Sequence, residues 1–270
     1  MKKIVRFLML MMIVSSVSIV SAETNHKLNF LFLGTDSGIL QGRSESLIAS
    51  RSDAVMIVTL DENEHKMTLS TIPRDGLINV PGYGNDKLTH AFAYGGPELT
   101  KKTLEEWLGI KFDRYVATNM TGFVKLMEVF ETVKVVPPTT FSYGTGNDFI
   151  EGQSQEINPE QALAYARERK TSGGDYARQA RMRQMVKSII ERLIDEGSIE
   201  GYRQAFENRY EYIETDFTFD ELTKLFEEYG NRELVIEEYQ FEGNSQRDPS
   251  AGYVEVIEDA SLQGLIEIVQ

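Results

Sequence analysis

The chain contains no cysteine. That excludes a disulfide scaffold, a thiolate metal site, a thiol nucleophile and a lipidated N-terminal cysteine. Histidine is scarce, with three in 270 residues, and the three show no metal-ligand spacing. Positive charge is in deficit: 28 Lys and Arg face 42 Asp and Glu, a formal net charge of −14. A nucleic-acid partner would call for the opposite surplus, so none is expected. Internal repeats, low-complexity tracts and Pro/Gly-rich linkers are also missing, which favours one compact domain. The longest apolar run, Phe7 to Val20, has 14 residues and includes three serines. A membrane-spanning helix needs about 20.

That run has the flanks of an export signal. Lys2, Lys3 and Arg6 precede it, and Val20-Ser21-Ala22 offers the small residues of a cleavage site, with Glu23 next. Residues 1–22 therefore read as a signal peptide or an N-terminal membrane anchor, and 23–270 as a single domain outside the membrane. The acid is uneven. Glu191 to Gln270 holds 21 acidic against 6 basic residues, whereas Arg167 to Lys187 holds seven basic residues opposed only by Glu168 and Asp175. A basic island in an acidic chain points to an anionic ligand.

Strands and helices alternate along the chain. Leu28–Leu33 reads as a strand, and Ala54–Leu60 with Met67–Ile72 as a hairpin. Helices are expected over Pro97–Leu108, ahead of Gly109, over Thr121–Glu131 and from the Asn158-Pro159 cap to about Lys170. A strand, Thr132–Val136, follows the second of these helices. A longer helix, Asp175–Glu196, carries Met182, Met185, Val186, Ile189, Ile190 and Leu193 on one stripe. Helix Asp220–Tyr229, strand Leu234–Phe241 and a helix near Ser261–Val269 complete a mixed sheet covered by helices, an α/β protein.

Arg178 falls on that apolar stripe, four residues before Met182 and seven before Met185. An arginine there must meet an anion or be expensively desolvated. One buried carboxylate would suffice for a salt bridge. With Arg167, Arg169, Lys170 and Arg181 close by, a di- or tri-anion such as a pyrophosphate fits better. Strand ends supply a second group: Asp36 after the first strand, Arg51 and Asp53 before the second, Arg74 and Asp75 after the third. Two carboxylates beside two arginines match a magnesium-bound phosphate. His90 has no Ser or Asp partner that spacing suggests, and a surface or capping role is expected. Gly95-Gly96-Pro97 reads as a helix-entry turn. Phe92, Phe123, Met127 and Phe130 recur at helical spacing, as core or as the wall of a lipid tunnel.

Several ordered motifs carry a family resemblance. Phe32-Leu33-Gly34-Thr35-Asp36, Arg51-Ser52-Asp53-Ala54-Val55-Met56 and Ser70-Thr71-Ile72-Pro73-Arg74-Asp75 resemble the opening of the LytR–CpsA–Psr family. So do Pro81-Gly82-Tyr83-Gly84 with Lys87, Ala93-Tyr94-Gly95-Gly96-Pro97-Glu98 and Ala162-Leu163-Ala164-Tyr165-Ala166-Arg167-Glu168-Arg169. The likeness is dense over residues 28–195. It implies an α-β-α sandwich whose mixed sheet encloses a hydrophobic lipid-binding tunnel.

The activity implied is a phosphotransferase on the outer face of the cytoplasmic membrane or in the cell wall. Such an enzyme moves a glycopolymer, wall teichoic acid or capsule, from a polyprenyl-pyrophosphate carrier to peptidoglycan. By the same resemblance Asp36 and Asp53 would hold Mg2+. Arg51, Arg74, Lys87, Arg167, Arg169 and Arg178 would grip the pyrophosphate. Arg74 with Asp53 or Asp75 would serve catalysis, a carboxylate assisting removal of the acceptor proton. A non-catalytic or regulatory envelope protein that binds polyprenyl-pyrophosphate lipids would not need the metal carboxylates, yet Asp36 and Asp53 are both present. A polyprenyl-pyrophosphate hydrolase would use the same residues as the transferase. One departure is Met182, which stands where family members usually place a pyrophosphate-contacting glutamine; that contact is either missing or supplied by Gln184 or Arg183. The other is an N-terminus that looks cleavable where family members keep an anchor.

Overall fold

The computed structural model describes residues 27–38, 50–170, 173–196, 199–208, 212–230 and 234–270. The expected export segment, residues 1–22, and Glu23 lie outside them. Strands β1 (Lys27–Thr35), β2 (Ser52–Asp61) and β3 (Lys66–Thr71) form an antiparallel meander. A small hairpin, β4 (Leu77–Val80) and β5 (Gly84–Lys87), leads into α1 (Leu88–Leu108). Then β6 (Arg114–Thr118) pairs parallel to β1, and α2 (Met120–Phe130) follows.

Four short strands come next: β7 (Val133–Val135), β8 (Phe141–Ser142), β9 (Asp148–Phe149) and β10 (Gln155–Ile157). Helices α3 (Pro159–Arg167), α4 (Gly174–Glu196) and α5 (Arg203–Glu207) lead to β11 (Ile213–Thr215) and α6 (Phe219–Tyr229). The chain closes with β12 (Val235–Gln240), the hairpin β13 (Gly243–Asp248) and β14 (Gly252–Ile257), and α7 (Asp259–Val269). The central sheet has the order β11-β6-β1-β2-β3-β12, mixed because β1/β6 and β3/β12 are parallel.

Both faces of this sheet are covered, which explains why β2 reads as an almost unbroken apolar run. Successive side chains point to opposite faces. Leu31, Leu33, Val55 and Ile57 pack against Phe92 and Leu104 of α1 and Leu265 of α7 in a solid core. Phe30, Phe32, Met56 and Val58 face the other way, toward Val186 and Ile190 of α4 and Leu222 of α6. The layers are therefore helix, sheet, helix, an α-β-α sandwich.

Caps set the helix boundaries. Asn158 and Gln161 form a reciprocal capping box with Pro159 in the first turn, and Gly109 ends α1 at φ 68°. Where the sequence predicts a helix beginning at Pro97, a preceding helical segment starts at Leu88. The two are separated by non-helical Gly95 and Gly96. The apolar triplet Leu88, Ala91, Phe92 buries that first segment. Strand β6 carries too little apolar pattern to be read locally; its pairing with β1 and β11 defines it.

One close approach gives a direct test of packing. A Cβ on Gly122, in the first turn of α2, would lie 2.6 Å from the Tyr212 carbonyl oxygen and would also meet Thr118 Oγ1. Gly122→Ala is expected to destabilise the protein by about 1–3 kcal/mol through overpacking, despite alanine's better helix propensity. Urea denaturation reads this out, and unchanged or increased stability would refute it.

Candidate functional site

Between the sheet and the helices α2, α4 and α6 lies a cavity of about 1350 Å³. Such a volume exceeds the roughly 300–1,000 Å³ of sites for drug-sized ligands. Its floor is the β face bearing Phe32, Met56 and Val58, and its roof includes Met182, Val186 and Ile189 of α4. Phe123, Met127 and Phe130 line it as well, whereas Phe92 belongs to the solid core on the far side of the sheet. At one part of this lining, apolar side chains give way to Asp53, Arg167, Arg169, Lys170 and Arg178.

Asp53 stands there because of a break in the ladder. Gly34 pairs with Ala54 and Thr35 with Ser52, so Asp53 is the extra residue of a β-bulge. Bulges re-aim a side chain and release backbone groups. The freed Asp53 carbonyl accepts a hydrogen bond from Arg178 Nη2 at 2.9 Å. The Asp53 carboxylate meets Arg74 Nη1 at 2.7 Å. From there an alternating chain of charge continues: Arg74 Nε lies 3.4 Å from Asp75 Oδ2, and Lys87 Nζ 3.0 Å from Asp75 Oδ1. Burial works against the Arg74 cation, but Asp53 and Asp75 more than offset it and hold its pKa above the usual value.

Arg178 is 7% exposed, as its stripe position requires. Nη2 pairs with Asp175 Oδ1 at 2.7 Å, but Nε is buried without a hydrogen-bond partner. Burial pushes its pKa down, Asp175 opposes this, and the neighbouring charges of Arg74 and Arg169 push it down further. Among the described residues Arg167 and Arg169 pair with no carboxylate; Arg167 lies over the Tyr143 ring, 5.9 Å from its centre. The mouth of the cavity thus gathers more positive charge than it compensates, and an anion is the missing partner.

Asp36 and Arg51 form a pair of their own beside this mouth. Arg51 donates to the two Asp36 oxygens, from its backbone N and from Nη2, each at 3.1 Å. Neither residue lines the cavity, nor do Arg74, Asp75 and Lys87. No cluster of three or more His, Asp or Glu poised to hold a metal occurs among the described residues.

The remaining expectations divide. Arg181, counted with the anion-binding arginines, is fully buried and turned away. It donates to the carbonyls of Tyr165 and Glu168, at the end of α3, and lies over the rings of Phe141 and Tyr165. Arg183 does not stand in for the family's glutamine at Met182, because it is buried against Glu238, Gln240 and Thr71. Gln184 is committed to the backbone of Val136 and the hydroxyl of Tyr165. Met182 lines the apolar cavity. His90 does have an acidic partner: its Nδ1 lies 2.9 Å from the Oδ1 of Asp86, in strand β5 just before α1. Helical spacing could not signal the pair, because Asp86 lies in the strand before the helix that carries His90.

Fold and site together define an α/β protein with a large apolar cavity opening at a cationic mouth. The chain belongs to the LytR_cpsA_psr family, whose sequence profile matches residues 12–266. It is 31% identical over 246 residues to a polyisoprenyl-teichoic acid–peptidoglycan teichoic acid transferase, TagU, of Enterococcus faecalis. That match covers 90% of this chain and 79% of the relative. It is 32% identical over 240 residues to the protein of the same name in Halalkalibacterium halodurans, covering 87% and 77%. Among solved structures it resembles TagT bound to LI-WTA, with TM-score 0.72 and 27% identity over 90% of this chain and 89% of that one. Similarity to TagV of B. subtilis gives TM-score 0.75 and 26% identity over 91% and 96%. No helix among the described residues is long and apolar enough to cross a membrane.

Proposed function

We propose that this protein transfers a teichoic-acid-like glycopolymer from a polyprenyl-pyrophosphate carrier to peptidoglycan at the cell envelope. The observation that carries the reading is a cavity of about 1350 Å³, apolar along its length, with Arg167, Arg169 and Arg178 at its mouth. A long isoprenoid chain fits the former and a pyrophosphate the latter. Teichoic acid and peptidoglycan are named for the relatives in two bacteria.

In the reaction, an acceptor sugar hydroxyl attacks the phosphorus on the glycopolymer side of the pyrophosphate. The bond from that phosphorus to the bridging oxygen breaks, and polyprenyl phosphate leaves. Arg178, Arg167 and Arg169 bind the phosphate oxygens and stabilise the charge that grows on the leaving group. Asp53 or Asp75 takes the acceptor proton, while Arg74 between them fixes their positions. Arg51 and Lys87 add positive charge from beside the mouth.

Magnesium fits the residues present. Mg²⁺ is commonly held by one or two carboxylates plus water and substrate phosphates. Asp36 and Asp53 supply two, and Asp53 Oδ1 is buried with no hydrogen bond beyond its ion pair with Arg74. When bound, the ion would neutralise phosphate charge as a Lewis acid.

The full chain incubated with magnesium, a labelled polyprenyl-pyrophosphate glycan and peptidoglycan oligomers tests the reading. Label moves to peptidoglycan and lipid phosphate is released; both are lost with EDTA and in Asp53→Ala. Lipid phosphate without labelled acceptor would mean hydrolysis, and binding without either product a carrier role. A second expectation concerns stability. Polyprenyl pyrophosphate at a hundred times its Kd should stabilise the fold by about 2.7 kcal/mol. In a domain of this size that is about 5–10 °C in melting temperature. No shift would count against the cavity as the lipid site.

A further inference from the structure

Two tyrosines lie face to face where the β4–β5 hairpin meets α1. Their ring centres are 4.2 Å apart with planes 10° from parallel, yet Tyr83 is 56% and Tyr94 42% exposed. The arrangement is built rather than incidental. Tyr83 occupies a turn flanked by Gly82 and Gly84 at φ 84° and 81°, backbone angles that a side chain other than glycine's resists. Tyr94 is held from below, its hydroxyl donating to Asp86 Oδ2 at 2.6 Å. That bond, ahead of partial burial, raises the Tyr94 pKa, so the hydroxyl stays protonated.

Asp86 Oδ1 accepts from the Lys87 amide at 2.7 Å and meets His90 Nδ1 at 2.9 Å. With Asp86 on Nδ1, the other ring nitrogen of His90, Nε2, has no hydrogen-bond partner among the described residues. The cluster therefore presents a flat aromatic face with directed polar groups alongside. Apolar carbon faces of a sugar ring stack on such a surface, and its hydroxyls find acceptors at the edge.

Position ties this surface to the candidate site. Tyr83 is four residues from Lys87, about 13 Å along an extended strand. Lys87 pairs with Asp75, and the Thr89 amide donates to the carbonyl of Arg74 at 2.9 Å. The hairpin thus runs from the stacked rings directly to the residues proposed to handle the acceptor hydroxyl.

We infer that Tyr83, Tyr94, Asp86 and His90 form a subsite for the acceptor glycan, holding sugar residues beyond the one that reacts. The inference rests on the transferase reading for its acceptor, but its test does not need turnover. A tetrasaccharide of alternating N-acetylglucosamine and N-acetylmuramic acid is titrated into the full chain by calorimetry, with no lipid present. Tyr83→Ala is expected to weaken binding roughly tenfold or more, the scale of losing an aromatic anchor. Tyr94→Phe keeps the ring, removes the bond to Asp86 and should weaken binding less.

Tyr253→Ala removes a 75% exposed tyrosine of β14 and should bind as the parent does. Wild-type affinity in Tyr83→Ala, equal loss in Tyr253→Ala, or no binding by the parent would each overturn the subsite. Where transfer can be followed, the KM for the oligosaccharide should rise in Tyr83→Ala while polyprenyl-pyrophosphate affinity holds. Failure of transfer with tetrasaccharide binding intact would count against the transferase reading and leave the glycan surface standing.

Discussion

Arg178→Ala is expected to slow glycopolymer transfer on the order of 10²–10³-fold, the usual cost of removing one donor aimed at developing charge. The protein should nevertheless keep its stability. Removing one partner of a buried ion pair normally destabilises, because the other charge is left uncompensated. Here Asp175 Oδ1 loses its partner, but Oδ2 keeps a bond from Gln179 Nε2 at 3.0 Å and the side chain is partly exposed, which limits the cost. The arginine itself is the uncomfortable member: Nε has no acceptor, and Arg74 and Arg169 repel its charge. Thermal melting alongside lipid-phosphate release separates the two roles. A wild-type rate would refute Arg178 as a phosphate ligand, whereas a collapsed melting temperature would make it a structural ion pair.

Neighbouring residues on β2 should respond in opposite ways to the same substitution. Val58→Trp projects an indole into the cavity, and polyprenyl-pyrophosphate binding is expected to fall at least tenfold, about 1.4 kcal/mol, with little change in stability. Ile57→Trp drives the same ring into the solid core beneath α1 and α7. It should cost about 1–3 kcal/mol or more through overpacking, with the cavity left open. Equilibrium denaturation and a lipid-binding assay on both variants decide the matter. If the two lose stability equally, the face bearing Val58 is packed and the cavity is no binding site.

Much of the architecture was legible from local chemistry. The meander β1–β3, the Asn158-Pro159 cap and the Gly109 stop follow from β-branched runs, capping side chains and glycine's access to positive φ. Arg178 was legible as buried because helical period places it with Met182 and Met185. Strand β6 and the hairpin β13–β14 were not, since their residues are strands through their partners rather than through propensity. The bulge at Asp53 left no local signal either. It exists only as a mismatch in register between β1 and β2.

Charge bias, the alternation of elements and a family-specific order of motifs were settled by the sequence itself. Tertiary structure alone decided which sheet face is solid and which is hollow. Period-two patterning marks both faces as apolar, but the gap between sheet and helices depends on how distant elements seat. The same holds for the arginines of α4. Arg178 and Arg181 are three residues apart and both buried, so helical period treats them as neighbours. One turns to the cavity mouth and the other to the carbonyls ending α3, because the elements packed around each side chain differ.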